Sequence, residues 1–115
     1  MALSPMTQGA IVKTSGTAGT TPFAVNIRYP DTRIQIEFGS VVVPRAAGKN
    51  EVNVNFLETF ATTPNVYNEI NTGVPNQYLP YTQGVNTSVA VIGIYNSGSA
   101  AGTGAPSKYF AIGTY

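Results

Sequence analysis

Apolar side chains recur at every second position through most of this sequence, and no window of helical length carries them unbroken at i, i+3, i+4 and i+7. EVNVNF, from Glu51 to Phe56, sets Val52, Val54 and Phe56 against Asn53 and Asn55. A period of two puts alternate side chains on opposite faces of an extended chain, so the pattern commits the protein to strands. GAIVKT opens the series at Gly9. AVNIRY follows at 24–29, with Val25, Ile27 and Tyr29 expected inward and Asn26 and Arg28 outward. TRIQIEFGSVVV at 32–43 alternates Ile34, Ile36 and Phe38, meets Gly39, and resumes on Val41 and Val43. That change of parity predicts a β-bulge at Gly39 that re-aims the apolar face. NVYNEI after Pro64, SVAVIGIY at 88–95 and KYFAIGTY at 108–115 complete the strands.

The intervening segments are rich in turn formers. Pro30 and Asp31 make a turn, PRAAGKN at 44–50 reads as a hairpin loop, and NSGSAAGTGAPS reads as a flexible one. Asn71 to Thr87 reads as one long loop. Short strands joined in this way predict an all-β fold, an antiparallel β-sandwich of about six to seven strands. With 115 residues the chain is expected to be a single domain at 9–115 preceded by a tail at 1–8.

Several function classes fall away on composition. Charged residues make up 10% of the chain, the net charge is +1, and no run of like charges forms a nucleic-acid footprint. Cysteine and histidine are absent, which removes disulfides, thiolate chemistry and the usual zinc ligands. Neither a signal peptide nor a membrane span is legible, so insertion into a membrane is not expected. Glu37 and Glu51 are the one carboxylate pair that a first hairpin would bring together in the manner of a glycosidase. Solvated strand faces explain them more simply, and no catalytic residue, metal or cofactor is expected.

Binding chemistry sits in the loops. GVPNQYLPYTQGVN offers Asn76, Gln77, Tyr78, Tyr81 and Gln83, in which aromatic faces and side-chain amides suit sugar rings and hydroxyls. Asn96, Ser97 and Ser99 open the last loop. Simple up-and-down alternation places that loop with the Asp31 turn at one end and the 44–50 and 71–87 loops at the other. The last two strands are apolar on both faces, which predicts either a loop folded over the outer face or, more sharply, a subunit interface using Val89, Val91, Tyr95, Tyr109 and Tyr115.

Three blocks in order resemble the C-terminal, receptor-binding domain of bacteriophage tail fibre proteins. Tyr29, Asp31, Thr32, Gln35, Ile36, Phe38 and Gly39 match its turn and first long strand, with Phe38 where tryptophan is usual and Arg33 near a usual glycine or threonine. Val54, Phe56, Phe60, Pro64 and Val66 match the second block, and Ala111, Ile112 and Gly113 beside Tyr109 and Phe110 match the third. The sandwich implied is similar to that of the H-type lectins. The resemblance implies a homotrimeric, non-enzymatic virion protein that attaches to a host surface glycan or protein and contacts other virion proteins. Two further readings are a decoration protein that binds only capsid or tail partners and a free sugar-binding lectin.

Overall fold

The alternation is realised as eight antiparallel strands in a computed structural model that describes residues 10–17, 22–29, 31–70, 77–99 and 104–115. They are β1 (Ala10–Ser15), β2 (Phe23–Tyr29), β3 (Thr32–Val43), β4 (Gly48–Asn55), β5 (Asn65–Ile70), β6 (Tyr78–Val85), β7 (Val89–Asn96) and β8 (Ala105–Gly113). Five strands form one sheet in the order β1-β2-β3-β8-β5, and three form a second in the order β4-β7-β6. The expected tail at 1–8 lies outside the described residues. Because β3 and β4 belong to different sheets, the 44–47 segment crosses between layers and is not a hairpin loop.

The strand missing from the sequence reading is β6, which lies within the expected 71–87 loop. Pro80, Gln83 and Gly84 hide it. β6 is an edge strand, where proline needs no ladder partner on its outer side, and the register shifts between Thr82 and Gly84. This extra strand reverses the direction of everything after it. The chain entering β8 therefore arrives at the opposite end from the Asp31 turn, since Ala105 pairs with Val43. One end carries Asp31, the 56–64 segment, the 86–88 turn and the C-terminal residues. The far end carries 44–47, Gln77 and 97–99, whereas Ala10 starts β1 near the Asp31 end, opposite Arg28.

Gly39 is not a bulge. β3 pairs without a register break with β2 from Thr32 to Phe38 and with β8 from Gln35 to Val43. Odd residues face inward throughout, and even residues face away. What switches is the chemistry: Gln35 and Glu37 face inward in the first half, and Val41 and Val43 in the second. Gly39 faces inward beneath the ring of Tyr109, where a β-carbon would lie 2.1 Å from Tyr109 Cε1. The reading of β2 is inverted in the same way: Ala24 and Asn26 are buried inside, while Val25 and Ile27 are only half-buried on the outer face and Tyr29 is exposed.

Two covers explain the switch. Over the second half of β3 lies the three-stranded sheet, whose Ala90, Ile92 and Ile94 pack with Val43, Ala105, Tyr109 and Ala111 as the apolar core. Each large aliphatic side chain buried there contributes roughly 1.5–3 kcal/mol. Over the first half lies the irregular 56–61 segment. It is anchored by Phe56 N–H to Ser88 O, Phe60 N–H to Thr87 O and Ala61 N–H to Thr114 O, at 2.7–2.9 Å. A buried loop has no ladder to satisfy its backbone, so the sheet must supply partners. Leu57 N–H donates to Glu37 Oε1 at 2.7 Å, and Gln35 Nε2 donates to Glu58 O at 2.8 Å.

Glu37 is 0% exposed and also accepts from the Tyr109 hydroxyl at 2.6 Å. Burial raises its pKa above the ordinary 4.5, while the bonds from Tyr109, Leu57 and Glu58 pull the other way. Burial and the adjacent Glu37 also push the Tyr109 hydroxyl up. A carboxyl with a raised folded pKa holds its proton more tightly in the folded state. Its contribution to stability is therefore fully present below 4.5 and is lost as pH rises through the raised value. Urea midpoints of the wild type should fall over that window relative to those of Glu37→Gln, which lacks this ionisation. Parallel midpoint curves for the two proteins would contradict this.

Candidate functional site

The far end is organised by Asn96, the last residue of β7, which is 1% exposed. Its Oδ1 accepts from Gln77 Nε2 and from Gly98 N–H, both at 2.9 Å. Its Nδ2 donates to Arg45 O at 3.1 Å and to Ser99 O at 3.0 Å. All four hydrogen-bonding positions of the amide are thereby used, and one side chain ties three segments together. Gln77 adds a second clasp, because its carbonyl accepts from Ser97 N–H at 2.9 Å and from Ser97 Oγ at 3.2 Å. Asn50 holds the 46–48 turn through Ala46 and Gly48, whose φ of 85° favours glycine.

Beside this clasp the guanidinium of Arg45 lies 5.5 Å from the centroid of the Tyr78 ring. Tyr78 itself is buried. The end thus presents the hydroxyls of Ser97 and Ser99 and the half-buried amide of Gln77 on a backbone fixed by hydrogen bonds, with one cation at its edge. Such a surface suits a neutral or mixed polar ligand, and loops so held lose little entropy on binding.

This arrangement brings together Gln77, Asn96, Ser97 and Ser99 and separates the other residues of the sequence reading. Tyr78 and Asn96 are buried supports, which corrects their assignment as contact residues. Tyr81 and Gln83 lie further along β6. The Tyr81 ring covers Gly93 on the outer face of the three-stranded sheet, and burial, with Glu51 nearby, pushes its hydroxyl pKa up. Asn76 lies outside the described residues. Arg45 was missed, and nothing in its local sequence marks it, because its neighbour Tyr78 comes from another strand.

Among the five expected interface residues, Tyr109 is inside the sandwich at 5% exposure, which corrects its assignment to an interface. Val89, Val91 and Tyr95 lie on the outer face of the three-stranded sheet, and Tyr115 lies at the Asp31 end, with Arg33 5.9 Å from its ring centroid. Glu37 and Glu51 do not form a pair: one is buried between the layers, the other points outward from the second sheet. Among the described residues no group of three or more acidic, cysteine or histidine side chains could hold a metal ion.

No protein-family model matches the chain, and no curated protein matches it by sequence. Solved structures do match it. A C-terminal portion of the R1 pyocin fibre of P. aeruginosa superposes with a TM-score of 0.66 at 16% identity, over 90% of this chain and 29% of that one. An N-truncated R1-type pyocin tail fibre gives 0.66 at 17% identity, over 90% of this chain and 88% of that one. An N-truncated R2-type pyocin tail fibre gives 0.65 at 21% identity, over 90% and 39%. The chain therefore spans less than a third of the first of these structures, and it has the fold of a tail-fibre C-terminal domain.

Proposed function

We propose that this protein is the attachment domain of a virion tail fibre: a non-enzymatic homotrimer whose far end contacts a glycan or protein on the host surface. The fold carries this reading, because it agrees with solved tail fibres over 90% of the chain. The placement of the polar loops supports it. β1 begins near the Asp31 end, so a fibre shaft leading into β1 would leave the Gln77–Ser97–Ser99 end outermost. The tie through Asn96 supports a rigid recognition surface, and the exposed Ser97 and Ser99 offer hydroxyls to a sugar or peptide.

Fluorescently labelled protein should bind intact cells of some strains in a bacterial panel, and free sugars or surface digestion should compete it away. Ser99→Tyr, a change at an exposed side chain, should lower that binding at least ten-fold without moving the unfolding midpoint. Binding to purified virions with none to any cell would favour the decoration role instead.

A further inference from the structure

The five-stranded sheet is more apolar outside than inside over much of its area. Paired residues share a face, and the register sets Phe23, Phe38, Phe110 and Tyr67 in one row across β2, β3, β8 and β5, all pointing away from the core. Phe38 and Phe110 lie 5.4 Å apart between centroids, and Phe110 and Tyr67 6.4 Å. The next rows toward the Asp31 end are Val25, Ile36 and Ile112, then Ile11, Ile27 and Ile34. Toward the far end the face turns polar with Ser40, Lys108 and Glu69. A groove of about 520 Å³ runs between the aromatic row and this polar row.

We infer that this outer face, centred on Phe38, Phe110 and Tyr67, is where copies of the chain pack against one another, with Lys108 of one copy meeting Glu69 of the next. The inference rests on the trimeric fibre reading and names the surface that builds it. Two observations select a second copy as the occupant. The first is area. Tyr67 and Phe38 are 62% and 42% exposed. With Ile11, 68% exposed, and the half-buried side chains around them they leave roughly 450–750 Å² of mostly apolar surface, given side-chain areas of about 150–250 Å². That is at or above the roughly 300–600 Å² of the largest patch on a typical monomer and approaches the ~800 Å² per partner of a stable interface.

The second observation is charge. Lys108 and Glu69 are cross-strand partners on this face, yet the ion pair found among the described residues is Lys13 with Glu58. Glu69 is on the edge strand β5 and Lys108 is one strand inward. A rotation that lays one copy's edge over the next copy's β8 pairs unlike charges, so the face is complementary to itself. Residues 1–9 are a poor alternative, since Met1, Leu3 and Met6 are the only large apolar side chains among them. The outer face of the three-stranded sheet is a weaker candidate, because β4 contributes Lys49, Glu51, Asn53 and Asn55 to it.

Light scattering on the full chain should give a mass near three times 12.1 kDa. Tyr67→Arg, at a side chain exposed in the protomer, should raise the dissociation constant at least ten-fold. Lys108→Glu should weaken assembly, and Lys108→Glu combined with Glu69→Lys should restore it, which a misfolded variant cannot do. A trimer unaffected by Tyr67→Arg, or disrupted instead by Tyr95→Arg, would overturn the assignment of the face and leave the trimer standing. A wild-type mass of 12.1 kDa at all concentrations would overturn both.

Discussion

Gly39→Ala is expected to cost about 2–6 kcal/mol, a large share of the 5–15 kcal/mol that holds a typical domain together. The cost arises from space, because no non-glycine φ is exceeded and Gly39 has an ordinary strand conformation. A β-carbon would sit 2.1 Å from Tyr109 Cε1, and that ring is pinned by its hydroxyl bond to Glu37. Overpacking alone costs about 1–3 kcal/mol. Moving the ring also strips a donor from a buried carboxyl, adding about 1–3 kcal/mol. Urea unfolding measures the sum. In a Tyr109→Ala background the same glycine replacement should cost less than about 1 kcal/mol, since the two changes share one contact. A bulge at Gly39 would give the opposite result, with similar costs in both backgrounds.

Phe60→Ala should cost about 3–5 kcal/mol by removing an aromatic side chain that is almost wholly buried. Its ring meets Phe56 edge-on at 5.0 Å and 77° and lies over Gly113. The loss should also loosen the 56–61 cover and admit water to Glu37 and Gln35. Amide exchange at Leu57, whose N–H is held by Glu37, should therefore accelerate together with the fall in the urea midpoint. Phe60→Leu keeps most of the volume and should cost less than half as much. Costs near zero for both leucine and alanine would show that the segment is held by its backbone bonds alone.

The sequence disclosed the strands whose alternation is clean and concealed what depends on partners distant in the chain. EVNVNF and SVAVIGIY became β4 and β7 because their apolar faces meet the core. β6 escaped because an edge strand tolerates Pro80 and a register shift. Losing one strand then misplaced the loop after Asn96 to the wrong end. Inward and outward were inverted in β2 and the first half of β3 for a different reason. Alternation shows that two faces differ, but not which one is covered. Here a loop whose backbone bonds to Glu37 and Gln35 covers the polar face, and the apolar face looks outward. Asn96 shows the same limit at the candidate site: its amide was legible as binding chemistry, but the four bonds that use it up come from Arg45, Gln77, Gly98 and Ser99.

The central claim is that attachment uses the far end of the sandwich, and one comparison tests it most directly. Cell binding by labelled wild type, by Ser99→Tyr at the far end and by Thr63→Tyr at the Asp31 end should be measured on the same bacterial strain. Both substitutions fall at exposed positions. Ser99→Tyr should lose at least nine-tenths of the binding while Thr63→Tyr keeps it. Retained binding by Ser99→Tyr together with loss in Thr63→Tyr would contradict attachment through the far end.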